Sequence, residues 1–202
     1  MNAREPDTAT NIIAPDFLLT AYTNGYFPMA DSRTNVIRWY SPDPRSILPL
    51  DGFRITRSLR QTIKKQIFRI STNTAFDDVI HACAERKETW ISEEIFHSYH
   101  ELHRLGFAHS VESWHGERLV GGLYGVALHG AFFGESMFSR MRDASKVALA
   151  ALVERLRERK FKLLDTQFIT PHLASLGAIE ISRDDYLSLL KRALKIKPKF
   201  ID

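Results

Sequence analysis

Between Leu119 and Gly134 the chain carries no charged side chain and five glycines. The stretch is shorter than the ~20 apolar residues a bilayer-spanning helix needs. The period around it is two rather than 3.6. From Ala108 onward, His109, Val111, Ser113 and His115 alternate with Ser110, Glu112 and Trp114, and Gly116 ends the run. This pattern predicts an antiparallel meander with strands over 108–115, 119–128 and 131–133. Its turns fall at Gly116-Glu117 and His129-Gly130.

The period then changes. Leu149, Leu152 and Leu156 recur at i, i+3, i+7, which predicts a helix capped by Asp143 or Ser145 and running to about Arg159. A further strand is predicted over 162–169. There Asp165 and Gln167 share one face, while Leu164, Thr166 and Phe168 share the other. A last helix is expected over 184–194. Upstream, helices are expected over 57–66, 75–85 and 92–105, the last opening on Ser92 as its cap. Phe17 to Tyr22 suits a short helix stopped by Asn24-Gly25. Pro42 and Pro44 force an extended or turned path, so the first ~50 residues read as loop-rich, led by a loose arm over 1–15. Meander, helix, strand and helix make an α+β layer structure.

Composition narrows the function classes. The 202 residues are 44% hydrophobic and 26% charged, values of an ordinary soluble globular chain. A single cysteine, Cys83, excludes an internal disulfide framework and a multi-cysteine zinc site. The N-terminus MNAREPDTAT lacks a basic-then-apolar signal design, and a cytoplasmic protein is expected. The net charge is only +4, but its distribution is uneven. Arg54, Arg57, Arg60, Lys64, Lys65 and Arg69 lie in a segment without an acidic residue. Lys191, Arg192, Lys195, Lys197 and Lys199 cluster near the end. Such patches attract polyanions, or form a solvated face. Arg57, Arg60 and Lys64 fall on one face of their helix.

Two carboxylates stand in apolar strands. Asp165 needs a partner if buried, and Gln167 on the same face could supply one. Glu135, after Phe132-Phe133-Gly134, could do acid/base work, hold a cation, or bridge to a local arginine. Ser136 is not a nucleophile elbow, because Phe138 replaces the second glycine. His97, His100 and His103 read as packing and capping residues, and no metal is expected. Trp39, Tyr40 and Trp90 could stack on bases or pack in the core. No phosphate-binding glycine loop is present, so neither ATP nor a dinucleotide cofactor is expected.

Taken together, several short segments form a signature. They are Gly25-Tyr26-Phe27-Pro28, Trp39-Tyr40-Ser41-Pro42-Asp43-Pro44-Arg45, Trp90-Ile91, Ala108-His109-Ser110-Val111-Glu112 and Leu119-Val120-Gly121-Gly122-Leu123-Tyr124-Gly125-Val126. After them come Gly134-Glu135-Ser136-Met137-Phe138-Ser139, Ala144-Ser145-Lys146, Leu164-Asp165-Thr166-Gln167 and His172-Leu173-Ala174-Ser175-Leu176-Gly177-Ala178. In this order, over roughly Phe17 to Leu190, the chain resembles the leucyl/phenylalanyl-tRNA–protein transferases.

The resemblance implies transfer of Leu or Phe from aminoacyl-tRNA to proteins with N-terminal Arg or Lys, and an apolar pocket, which separates Leu from Met only weakly, adds Met as a minor donor. The acceptor atom is the α-amine, and the product is marked for N-end-rule degradation. It implies a small N-terminal domain (1–56) and a GNAT-like acyltransferase domain (57–202) with a mostly antiparallel sheet flanked by helices. It assigns catalysis to Asp165 and Gln167, with Asp165 taking or orienting the amine proton, and assigns Glu135 to the cationic acceptor. It places Leu123, Phe132, Leu149, Leu152, Leu156 and Leu164 around the aminoacyl side chain. Trp90, Tyr22 and Met29, the last standing where many relatives carry Trp, would hold the terminal adenosine. Arg57, Arg60 and Lys64 would track phosphates, without cofactor, metal or membrane.

Two rival readings remain. An acyl-CoA-dependent GNAT needs a glycine-containing pyrophosphate loop, and Arg140 to Ser145 holds no glycine. A non-catalytic tRNA-binding module needs the basic helix but not Asp165, Gln167 or Glu135.

Overall fold

The computed structural model describes residues 11–86 and 88–201. The loose arm expected over 1–15 lies mostly outside them.

The chain begins with α1 (Pro15–Thr23), then a small hairpin of β1 (Phe27–Ala30) and β2 (Ile37–Tyr40). β3 (Arg45–Ile47) and a short 3₁₀ turn (Leu50–Gly52) lead to α2 (Arg57–Lys64), β4 (Arg69–Thr72), α3 (Phe76–Ala84) and α4 (Glu93–Arg104). The meander follows as β5 (Ala108–His115), β6 (Arg118–Leu128) and β7 (Ala131–Ser139). Then come α5 (Ala144–Glu158), β8 (Leu163–Gln167), α6 (Pro171–Ser175), β9 (Ile179–Ile181) and α7 (Arg183–Ala193).

The large sheet has the order β4-β5-β6-β7-β8-β3-β9. Its pairs are antiparallel except β7 with β8. The fold is thus α+β, with a mostly antiparallel sheet flanked by helices. Helices cover both faces and build two cores. On one face, residues of α1, α3, α4 and α7 pack on Tyr124, Val126 and Phe133. On the other, α2 and α5 pack on Leu123, Phe132 and Leu164.

Local chemistry explains the frame. Ser92 accepts the Ile95 N–H at the start of α4, and Thr56 accepts the Leu59 N–H at the start of α2. The predicted stripe of Leu149, Leu152 and Leu156 is buried against the sheet. Gly121 lets α5 approach, because a Cβ there would lie 2.5 Å from that of Ala144. Near the end of the chain, Phe200 is buried, its ring 4.4 Å from His109 and 5.2 Å from Phe132.

The third meander strand is longer than expected and reaches Ser139. The first ~50 residues hold more order than a loop-rich reading allowed: the hairpin, and β3, which bonds to β8 and β9 inside the large sheet. Neither β4, β9 nor α6 was anticipated. The decisive irregularity lies between β7 and β8. They pair over Ala131↔Leu163, Phe132↔Leu164 and Phe133↔Asp165, and no further, although both strands continue.

Candidate active site

Where the parallel pairing stops, a cavity of ≈ 450 Å³ opens between the two strands. Its apolar part is made by Leu123, Met137, Leu149, Leu152, Leu164 and Leu173. Its polar part includes Glu135 and Gln167, and Met29, Trp90 and Arg86 also line it.

Glu135 owes its direction to a bulge. Gly134 pairs with Gly125 and Ser136 with Tyr124, so Glu135 is the extra residue on β7. Its Oε1 accepts from Tyr22 Oη (2.7 Å) and Gln167 Nε2 (3.0 Å), and its Oε2 from Tyr99 Oη (3.1 Å). The two phenolic oxygens also contact each other at 2.5 Å. Two phenolic protons thus serve three contacts, and a proton on the carboxyl would complete the set. Burial pushes the Glu135 carboxyl up to about 7, against the pull of those three donors. A carboxylate balanced there exchanges protons at neutral pH.

Gln167 is held in the left-handed region, with φ 63°. That conformation is sparsely populated for a residue with a side chain and persists only when its surroundings impose it. Asp165 supplies the restraint: its Oδ1 accepts the Gln167 N–H at 2.8 Å.

Asp165 itself does not line the cavity. It is 0% exposed, and its remaining capacity is taken by Arg45 Nε (3.0 Å), Arg45 Nη2 (2.6 Å) and Tyr186 Oη (2.8 Å). Both of its oxygens are thus engaged behind the cavity wall. It reaches the cavity wall only indirectly, through the Gln167 N–H. Arg45, which the sequence showed only as the end of a proline-rich motif, is its counter-ion. The guanidinium also donates to the Gly25 carbonyl and lies over the rings of Phe27 and Tyr186 at 4.7 and 4.4 Å.

The other expected residues divide. Leu123, Leu149, Leu152 and Leu164 line the cavity, whereas Phe132 and Leu156 lie behind it in the α5 core, each fully buried. Trp90 and Met29 stand on the cavity wall. Tyr22 does not. Its ring is buried against Phe133 and its hydroxyl is spent on Glu135 and Tyr99, so no face is left for a base. Tyr99, which no spacing singled out, is the other phenol on that carboxylate. Arg57, Arg60 and Lys64 are exposed on α2, without an ion-pair partner among the described residues.

The three histidines of α4 have separate partners. His103 stacks on Phe76 and contacts the Ala108 carbonyl, His100 bonds Asp77, and His97 faces Glu93. No group of three metal-ligating side chains occurs among the described residues. No helix among them is long and apolar enough to cross a membrane.

Comparison with known proteins then decides the family. A family model described as leucyl/phenylalanyl-tRNA protein transferase matches residues 47–191, and one for that family's N-terminal domain matches 12–43. The chain belongs to the leucyl/phenylalanyl-tRNA protein transferase family. A leucyl/phenylalanyl-tRNA–protein transferase of a Ruegeria species is 57% identical over 190 residues, covering 94% of this chain and 90% of its own. One from Herpetosiphon aurantiacus is 54% identical, over 95% of this chain and 100% of its own. One from Rhizorhabdus wittichii is 58% identical over 91% and 76%. Among solved structures, that of L-PGS from Bacillus licheniformis aligns at TM-score 0.43 and 14% identity, over 79% of this chain and 55% of its own. Membership in the transferase family makes this chain an enzyme. The gap between β7 and β8 is the candidate place for its chemistry.

Proposed function

We propose that this member moves Leu or Phe, and Met more weakly, from the 3′ end of an aminoacyl-tRNA to the α-amine of proteins beginning with Arg or Lys. The product would be marked for N-end-rule degradation. The observation that carries the reading is the cavity itself: a leucine-lined recess meeting a carboxylate poised near neutrality. An apolar recess rejects polar side chains, and separates Leu from Met by only ~1–3 kcal/mol.

The donor ester is already activated, so no ATP is needed. The acceptor amine attacks the ester carbonyl carbon. A C–N bond forms, the bond to the ribose 3′ oxygen breaks, and that oxygen leaves with a proton. Glu135, in its ionised form, takes the proton the amine loses and returns it to the leaving ribose oxygen. Gln167 faces the same space and orients the reactants. Asp165 and Arg45 hold Gln167 in its unusual backbone conformation. Trp90, with Met29 beside it, offers a surface for the terminal adenine, and Arg57, Arg60 and Lys64 meet phosphates.

The test is incubation of the purified protein with Phe-tRNA or Leu-tRNA and peptides beginning with Arg, Lys, Asp or Glu. Labelled amino acid should appear on the Arg and Lys peptides. Label on none of the four would end the reading, and label on the acidic peptides would overturn the acceptor assignment.

A further inference from the structure

Two buried side-chain polar atoms have no hydrogen-bond partner among the described residues, the Tyr124 hydroxyl and His172 Nε2. Both residues line the same cavity. A buried hydroxyl left unmet bears the full cost of its lost solvation. Native folds rarely carry one unless something else completes the bond.

Tyr124 is the better placed of the two. Its side chain is fully buried. Its ring meets Phe76 edge-on at 6.1 Å and Tyr99 edge-on at 5.5 Å, so packing fixes the direction of the hydroxyl. On the sheet it pairs with Ser136, next to the bulge that presents Glu135. Burial, reinforced by Tyr99 and Glu135, holds the phenol well above its usual range, so it keeps its proton and can donate.

The occupant of this space limits what can receive that proton. On the reading proposed above, on which this inference rests, the side chain of the aminoacyl group accepts nothing. Its α-ammonium only donates. The adenine is engaged by Trp90 and Met29. The ester carbonyl is the accepting group that must lie near Glu135 and Gln167 for the amine to reach it.

We infer that the Tyr124 hydroxyl donates a hydrogen bond to the carbonyl oxygen of the aminoacyl ester. As the amine nitrogen bonds to carbon, the carbonyl electron pair moves to that oxygen, and the bond from Tyr124 strengthens. Tyr124 keeps its proton throughout. When the intermediate collapses, the pair returns and the ribose oxygen leaves. A neutral donor aimed at developing charge and held in place by packing stabilises the transition state more than the ground state.

The test compares Tyr124→Phe with the parent protein in three measurements. These are thermal melting, transfer kinetics, and affinity for a 3′-aminoacylamino-adenosine, whose amide link cannot react. The variant should melt at the same temperature or higher, because an unmet hydroxyl has gone. Its kcat should fall about 10²-fold, while affinity for the amide analogue stays within about twofold. An unchanged kcat would overturn the proposal. So would analogue affinity that falls as far as kcat/KM, which marks a uniform ground-state contact. A lower melting temperature would also overturn it, since the hydroxyl would then have a partner inside the fold. A parent protein that transfers nothing would instead remove the functional reading, and this inference with it.

Discussion

Glu135 sits under opposed influences. Desolvation favours its neutral form, while Tyr22, Gln167 and Tyr99 favour the ionised one, and desolvation prevails. Its folded value of about 7 lies above the ordinary 4.5 of an unfolded glutamate, so the folded chain binds the more protons between them. Its contribution to stability is therefore full below the unfolded value and is lost as pH rises through about 7. Activity runs the opposite way, because only the ionised form accepts a proton. The kcat/KM of transfer should rise through pH 7 in the parent, while Glu135→Gln should be slower by about 10²-fold or more and lack that inflection. The same substitution should flatten the parent's excess loss of stability between pH 5 and 8. An identical pH–rate profile in the folded variant would remove Glu135 from proton transfer.

Glu135 and Gln167 were legible as polar residues inside apolar strands, and both line the cavity. Asp165 looked the same and behaves differently. Its counter-ion is 120 residues away in sequence, and no local period shows whether a carboxylate is free or spent. The contacts of Tyr22 and Tyr99 were hidden for the same reason, since their shared carboxylate exists only after three elements meet.

Among elements, long periodic ones were readable and short ones were not. α5 follows from the stripe it buries, and the meander from its alternation and turn residues, although helices cover both faces of the sheet. β3 and β9 are three residues each, too short to display an alternation. α5 supplies the wall most open to test. Leu152 is 1% exposed yet lines the cavity, so Leu152→Trp should fill the recess and abolish Phe transfer. Overpacking of this kind lowers stability by ~1–3 kcal/mol, and a folded variant with parental Phe transfer would place the amino acid elsewhere. α2 carries the second test. Replacing Arg57, Arg60 and Lys64 by Gln should weaken tRNA binding. It should also lower the slope of log affinity against log salt by roughly 0.7–0.9 for each phosphate no longer neutralised. An unaltered slope would leave α2 as a solvated face.

Across the whole molecule, one buried ion pair joins parts that sequence alone keeps separate. Arg45 touches Gly25 and Phe27 of the N-terminal region, Tyr186 of α7 and Asp165 of β8. Breaking it from one side strands a charge in the interior. Arg45→Met should lower unfolding stability by ~3–5 kcal/mol in urea titrations. Pairing it with Asp165→Leu should recover part of that loss, as coupled neighbours do. A single-variant loss below ~1 kcal/mol would show that the pair is not energetically central.

Phe200 has a reach of its own. It leans on Phe132, which pairs in register with Leu164 at the edge of the recess. Exoproteolysis or a bulky fusion that unseated this ring would loosen the backing of the recess proposed here to receive the aminoacyl side chain. Such damage would surface first as careless donor choice rather than as lost turnover.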